Sequence, residues 1–264
     1  LQVESAKKTI HRDVIMKNIV DMRNQVAENV MSDATMILPI CNYLTNIVKQ
    51  YHPNQKTSVF VEGVDSSVWY EEYGMKLKHP CVGLLQDANI WIKTEEMLLL
   101  KKVLMENPNI HIYWAGDGIY KKEILDVLEK FENFHWLGPL QYPDRVREFL
   151  TEIDVYALIS GIDMAPLTLK EAQLMQKPVI ATNVGGIPEV ITLAKKNLNS
   201  IEQVVFDIWV KIVDPEVALI RSGIDNVLKN YSDLEEYINL IPNIRKQFYW
   251  SKRLDQYHNL LAES

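Results

Sequence analysis

The sequence predicts an α/β fold: a doubly wound parallel sheet with helices on both faces, preceded by a partial α/β segment. Three observations lead there. From Pro80 onward, short apolar runs rich in β-branched and aromatic residues alternate with amphipathic stretches of about 10 to 15 residues, as βαβ units require. The first run, through Val82 to Leu85, lacks the polar alternation of a half-exposed strand and reads as buried on both faces. Composition supplies the third: 264 residues that are 47% hydrophobic and 24% charged suffice for one large or two ordinary α/β domains and exclude a disordered tail.

Ile15, Ile19, Met22 and Val26 recur at helical spacing and predict a long amphipathic helix over residues 5–31, broken by Ser32 and Asp33. Strands are expected over 34–40 and 57–62, flanking a helix through Ile47 and Val48. Between Val64 and Lys78 the period is lost among Asp65, two serines, Trp69, Tyr70 and Gly74, which marks a domain boundary. After the strand at Val82 come a helix over 94–104, a strand over 109–115 ending in Gly116-Asp117-Gly118, and a helix carrying Ile124, Leu125, Leu128 and Phe131. A strand over 134–137, a helix with Val146, Phe149 and Leu150, a strand over 154–159, a helix over 167–175 and a strand over 178–182 repeat the unit. Beyond Val190 the expected elements are a strand over 209–213, a helix from Val217 and a final helix after Ser251.

Counting excludes several classes. Cys41 and Cys81 are the only cysteines, too few for a disulfide scaffold or a four-cysteine zinc site. Twenty-eight basic against 35 acidic residues give a net charge of −7, which argues against nucleic acid as partner. No apolar stretch approaches the roughly 18 residues that span a bilayer, and the expected protein is soluble. A start at Leu1 instead of Met leads to the expectation of a trimmed chain with upstream sequence absent. The six histidines show no metal-ligand spacing, no serine occupies a nucleophile elbow, and Gly116-Asp117-Gly118 is not the G-x-G-x-x-G dinucleotide fingerprint.

In such sheets ligands bind outside the carboxyl ends of the strands, which singles out the following loops. The loop after the 154–159 strand carries Asp163, and Glu171 lies eight positions later on a helix that Pro166 or Leu167 opens. A helix N-terminus at Pro166, Leu167 and Thr168 offers N–H groups to an anion, while flanking carboxylates can accept hydrogen bonds from sugar hydroxyls. By spacing alone, a loop acid and a solvated helix acid remain the open alternative. Gly185-Gly186 before Pro188 permits close backbone approach, or is an ordinary tight turn. Lys93 is the cation nearest the expected crevice, where a lysine is also an ordinary surface residue.

Together these segments resemble the C-terminal half of a group 1 (family 4) glycosyltransferase of the GT-B fold. Val59-Phe60-Val61-Glu62-Gly63-Val64-Asp65 resembles its "IPNGVD", Ile112-Tyr113-Trp114-Ala115-Gly116-Asp117-Gly118 its "VIVGDG", and Trp136-Leu137-Gly138 its "FLG". The run from Asp154 to Ser160 resembles "ADVFVLPS", Asp163 with Glu171 its E-x7-E pair, and the run from Lys177 to Glu189 its "KPVVATDVGGIPE". The resemblance implies a Rossmann-like donor domain over residues 65–264, with residues 1–64 the remnant of an acceptor-side domain. It further implies transfer of a sugar, hexose-like, from a nucleotide-diphospho sugar to a glycan or lipid-linked acceptor, with retention and with neither metal nor other cofactor. Asp163 would contact the sugar and Lys93 the diphosphate, as the catalytic residues. Glu171 would hold the ribose hydroxyls, with Pro166, Leu167, Thr168, Gly185, Gly186, Gly116 and Gly138 lining the donor site. The implied setting is cytoplasmic, at the inner membrane face, with peripheral contact through the first domain. Three positions depart from the family: Leu84 stands where it has Arg after Gly83, Met164-Ala165-Pro166 replaces its glycine-aromatic-glycine, and Asp163 replaces its first Glu. These departures define the alternative, a catalytically silent partner protein that keeps the fold.

Overall fold

The computed structural model describes residues 14–262. Strands β1 (Cys81–Leu85), β2 (His111–Ala115), β3 (Phe134–Gly138), β4 (Val155–Leu158), β5 (Val179–Thr182) and β6 (Val210–Val213) form one sheet in the order β3-β2-β1-β4-β5-β6. All neighbours run parallel. Every residue of β1, β4 and β5 is buried, which explains their unbroken apolar character. Among the described residues, two α-helices precede the sheet, α1 (Val14–Asp33) and α2 (Asn42–Tyr51). The crossovers run through α3 (Trp91–Thr94), a 3-10 turn (Glu95–Leu99), α4 (Leu100–Glu106), α5 (Lys121–Leu128), α6 (Asp144–Glu152), α7 (Leu167–Leu174), α8 (Ile187–Lys195) and α9 (Ser200–Trp209). After β6 come α10 (Val217–Lys229), α11 (Glu235–Ile238), α12 (Ile241–Phe248) and α13 (Trp250–Ala262). The core joins both faces through Trp114, Phe149, Tyr156, Phe206 and Phe248, each fully buried. Among the described residues, no helix is long and apolar enough to cross a membrane.

The structure departs from expectation, or leaves it unchecked, in several places. The predicted first helix is present from Val14, and residues 5–13 lie outside the described residues. The expected strands over 34–40 and 57–62 reduce to a single parallel bridge, Ile37 with Thr57, because they pair only with each other and Pro39 brings no N–H donor. The helix expected to begin at Thr94 begins at Trp91: the Thr94 hydroxyl bonds back to the Ile90 carbonyl at 2.9 Å, from inside the turn instead of capping it. Trp209 ends a helix that the sequence reading passed over, although Asn199 and Glu202 form a capping box at its start.

The segment ahead of the sheet is tied to it at defined points. Cys41, at the N-cap of α2, has no side-chain capping bond. The Glu189 carboxylate, from the first turn of α8, takes that place, accepting from Asn42 N at 2.7 Å, Asn42 Nδ2 at 2.8 Å and Tyr43 N at 2.9 Å. Cys41 packs with Ile162 and Met164 of the loop after β4 in a small apolar cluster. The last helix returns to the same segment, with Gln256 Nε2 donating to the Val59 carbonyl at 3.0 Å and the Tyr257 ring 5.4 Å from Phe60. Replacing Glu189 by Ala should therefore destabilise the 42–51 helix locally by about 1–2 kcal/mol. Hydrogen exchange should quicken there and not in β1 or β4; unchanged protection of 42–51 would show that the cap is dispensable.

Candidate functional site

The site follows from the strand order. β1 and β4 are neighbours in the sheet, but their crossovers lead in opposite directions, to β2 and to β5, and in sheets of this kind the ligand crevice is expected beyond the carboxyl ends at that switch point. The segment after β1 carries Lys93 on α3, and the loop after β4 carries Asp163. Across the crevice Lys93 Nζ lies 2.8 Å from Asp163 Oδ2, with both side chains largely buried. The other carboxylate oxygen, Oδ1, accepts from Met164 N at 2.7 Å. Gln86, at the end of β1, holds the two walls together, its amide donating to the Lys93 carbonyl at 2.8 Å and the Ile159 carbonyl at 3.2 Å.

Pro166 is the N-cap of α7 and no side chain caps this helix, so its first N–H groups and positive end are left free of side-chain partners, three residues beyond Asp163. Leu167 is exposed there. The Thr168 hydroxyl is turned to the sheet, accepting from Tyr156 Oη at 2.7 Å, which leaves the backbone of Thr168 as its contribution to the helix end. Glu171, one turn in, is 3% exposed and its pKa is pushed up to about 7 by burial. It does not face bulk water, and it accepts a long hydrogen bond, 3.4 Å, from Tyr142 Oη in the loop after β3.

The two glycine positions after β5 approach the neighbouring loop closely. Gly185 has φ +56°, and a Cβ there would lie 2.1 Å from the Asp163 carbonyl oxygen; one on Gly186 would lie 1.8 Å from that of Met164. Gly186 N already donates to the Asp163 carbonyl at 2.7 Å. Their closeness thus serves the neighbouring loop, fixing the backbone that presents Asp163. Gly116 and Gly138 lie one and two strands away from the crevice pair, where Gly116 N donates to the Gly138 carbonyl at 2.9 Å and Trp136 Nε1 donates to the Gly116 carbonyl at 2.9 Å.

Sequence reasoning missed Tyr142, Gln86 and Thr182. Thr182 Oγ1 lies 2.6 Å from the Ser160 carbonyl and 3.1 Å from Ser160 N, pinning the start of the Asp163 loop to β5. Polar residues at the carboxyl ends of otherwise apolar strands were the available signal for Gln86 and Thr182. His79, Cys81 and Asp154 place one ligand atom each within 4.8 Å of one another, at the amino-terminal ends of β1 and β4. His111 and His135 meet each other, with Nδ1 and Nε2 3.0 Å apart.

Residues 81–204, which include both walls of this crevice, match the family described as "Glycosyl transferases group 1". The match is to a group 1 glycosyltransferase domain. The glycosyltransferase relatives include N-acetyl-alpha-D-glucosaminyl L-malate synthase of Bacillus anthracis, 27% identical over 154 residues, covering 53% of this chain and 39% of that protein. Another is the O-antigen biosynthesis glycosyltransferase WclY of Escherichia coli, 23% identical, covering 55% and 48%. The chain spans less than half the length of these curated relatives. Among solved structures, sucrose-phosphate synthase from Thermosynechococcus elongatus superposes with a TM-score of 0.76 at 15% identity, over 100% of this chain and 67% of that one. Anabaena HepE, solved with UDP and glucose, gives a TM-score of 0.66 at 15% identity over 91% and 66%. These neighbours are GT-B glycosyltransferases, and the fold of this chain is of that type.

The buried Glu171 gives the glycosyltransferase domain a pH dependence of definite sign. An ordinary glutamate titrates near 4.5, and this one near 7 in the folded chain. Between those values the folded state keeps a proton that the unfolded state has lost, so stability falls as pH rises through that window, by roughly 3 kcal/mol. Glu171→Gln should flatten this slope, read as the difference in denaturant midpoint between the two proteins from pH 4.5 to 7.5. Parallel slopes would show Glu171 to be ionised in the fold.

Proposed function

We propose that this chain carries the donor half of a glycosyltransferase that moves a sugar from a nucleotide-diphospho sugar to a glycan or lipid-linked acceptor, with retention and without a metal. The observation that carries the reading is the Lys93–Asp163 pair at the topological switch point, beside the uncapped end of α7. Leaving-group departure requires stabilising negative charge on a diphosphate and positive charge on an oxocarbenium-like sugar. Lys93 and the first N–H groups of α7 suit the first task, and the Asp163 carboxylate suits the second. In this reading the incoming diphosphate replaces Asp163 as partner of Lys93, freeing the carboxylate to turn to the sugar. Glu171 takes the ribose hydroxyls, with a proton inventory near neutrality that lets its carboxyl donate as well as accept.

A uridine nucleotide is the donor base this reading favours first, since HepE was solved with UDP and glucose and the pneumococcal O-GlcNAc transferase GtfA with UDP and GlcNAc. We assign residues 65–264 to the donor side and residues 1–64 to the acceptor side, with peripheral contact with the inner membrane face through that side. One observation favours the silent-partner alternative: Pro166 brings no N–H to the helix cap, and Met164 and Ala165 beside it are buried.

Calorimetry with UDP-, GDP- and ADP-sugars separates the two. The donor reading expects saturable binding of one of them, UDP-sugars first, weakened roughly tenfold or more by Lys93→Ala and by Glu171→Ala, a loss of about 1.4 kcal/mol or more. The surface control Glu129→Ala should bind as the parent does. A folded chain that binds none of the three sugar nucleotides overturns the donor reading and leaves the partner one.

A further inference from the structure

At the amino-terminal edge of the same central strand pair lies a group of side chains that the donor site does not use. Cys81 opens β1, Asp154 immediately precedes β4, and His79 stands two residues before Cys81. We propose that His79 Nδ1, the Cys81 thiolate and an Asp154 carboxylate oxygen form a binding site for a zinc-class divalent cation, with water as fourth ligand.

The geometry is near that of an occupied site. In a tetrahedral zinc centre with bonds of about 2.0–2.3 Å, ligand atoms lie roughly 3.3–3.7 Å apart. Here His79 Nδ1 is 3.7 Å from Cys81 Sγ and 2.9 Å from Asp154 Oδ2, and all three ligand atoms lie within 4.8 Å of one another, so the imidazole and carboxylate must part by about 0.4 Å and the thiol and carboxylate close by at most about 1 Å. The supporting contacts are also those of a metal site. Ligating histidines characteristically donate the other ring N–H to a carboxylate, which turns the free lone pair to the metal. His79 Nε2 lies 2.9 Å from Glu152 Oε1. Asp154 is itself oriented, accepting from Cys81 N at 2.7 Å, and retains lone pairs for a cation.

The donor set selects the metal class. A thiolate with an imidazole suits zinc or cobalt and disfavours magnesium or calcium, which take oxygen ligands. Burial, with Asp154 and Glu152 nearby, pushes the Cys81 thiol up to about 12, so without a cation it stays protonated. Metal binding expels that proton and any proton on Nδ1 into solvent, which makes affinity rise with pH. His79 is 41% exposed, giving the cation a route to a cysteine that is otherwise fully enclosed. Lys177, the neighbouring cation, is tethered by Nζ to the Thr151 carbonyl at 2.7 Å. The four residue steps from Cys81 to Leu85 separate this edge from the donor crevice by about 13 Å, so the metal would clamp β1 to β4 and take no part in sugar transfer.

The test is a Co2+ titration of the chelator-treated 264-residue chain, followed by absorption. One equivalent should bind with a thiolate-to-cobalt charge-transfer band, and Zn2+ should bleach it while Mg2+ does not. The band should vanish in Cys81→Ala and in His79→Gln, the latter a surface change that leaves the core intact, and should survive in Cys41→Ala. Glu152→Gln should weaken Co2+ binding about 10- to 100-fold. A folded chain that shows no thiolate band, or a band that persists in His79→Gln, overturns the site. These readouts do not depend on nucleotide binding.

Discussion

The pairing of β1 with β4 governs the rest of the molecule. Two strands remote in sequence become neighbours in the middle of the sheet, with Val82 beside Val155 and Leu84 beside Ala157. Because both are fully buried and parallel, each end of the pair gathers a set of side chains that no local motif contains. At the carboxyl end the gathered residues are Gln86, Lys93 and Asp163; at the amino end they are His79, Cys81 and Asp154. The first set lies where the crossovers diverge, the position at which ligands bind in open parallel sheets. The second lies where the chain enters the sheet, and its donors converge on one another instead of on a crevice.

Charge burial on α7 ties the site to the linker. Lys170 and Glu171 are adjacent in sequence, and both are almost wholly buried. Successive helical residues point about 100° apart, so the two reach different partners. Lys170 Nζ donates to the Glu62 carbonyl at 3.0 Å, and Glu171 faces Tyr142. Burial lowers the lysine to about 8 and raises the carboxyl to about 7, so each is held near the point where its charge is lost. A helix bearing two such residues at its centre is fixed both to the segment ahead of the sheet and to the loop after β3.

The alternation of strands and helices was legible because it rests on periodicity, which is local. What failed rested on competition. Thr94 has the composition of a cap, yet its hydroxyl found a carbonyl one turn back, and Trp209 has the bulk of a strand residue, yet it completes a helix started by Asn199 and Glu202. The pairs Asp163 with Glu171 and Gly185 with Gly186 were visible as motifs. That Lys93 would meet Asp163, and that the glycines would serve the Asp163 backbone, depended on strand order and on close approach, neither of which a single sequence displays. Cys81 and His79 gave no signal for the same reason: their third partner enters from β4.

The loop that presents Asp163 is held on every side by contacts whose origins lie in different parts of the chain. Lys93 binds its side chain, Gly186 N–H binds its carbonyl, and Thr182 secures Ser160 at its start. Ile162 and Met164 on either side of it are packed against Cys41, whose helix is in turn anchored to Glu189, three residues beyond Gly186. This closes a ring: the β5–α8 turn fixes both the loop backbone and the segment that packs on it. A loop backbone held by such a ring costs little further ordering, which is a condition under which an acid it carries can contribute to transition-state stabilisation. The same ring makes the segment before the sheet part of the architecture that holds the Asp163 loop. The segment ahead of the sheet and the loop after β4 are therefore coupled through the packing of Cys41 and the Glu189 cap, and a displacement of α2 is transmitted first to the loop that presents Asp163.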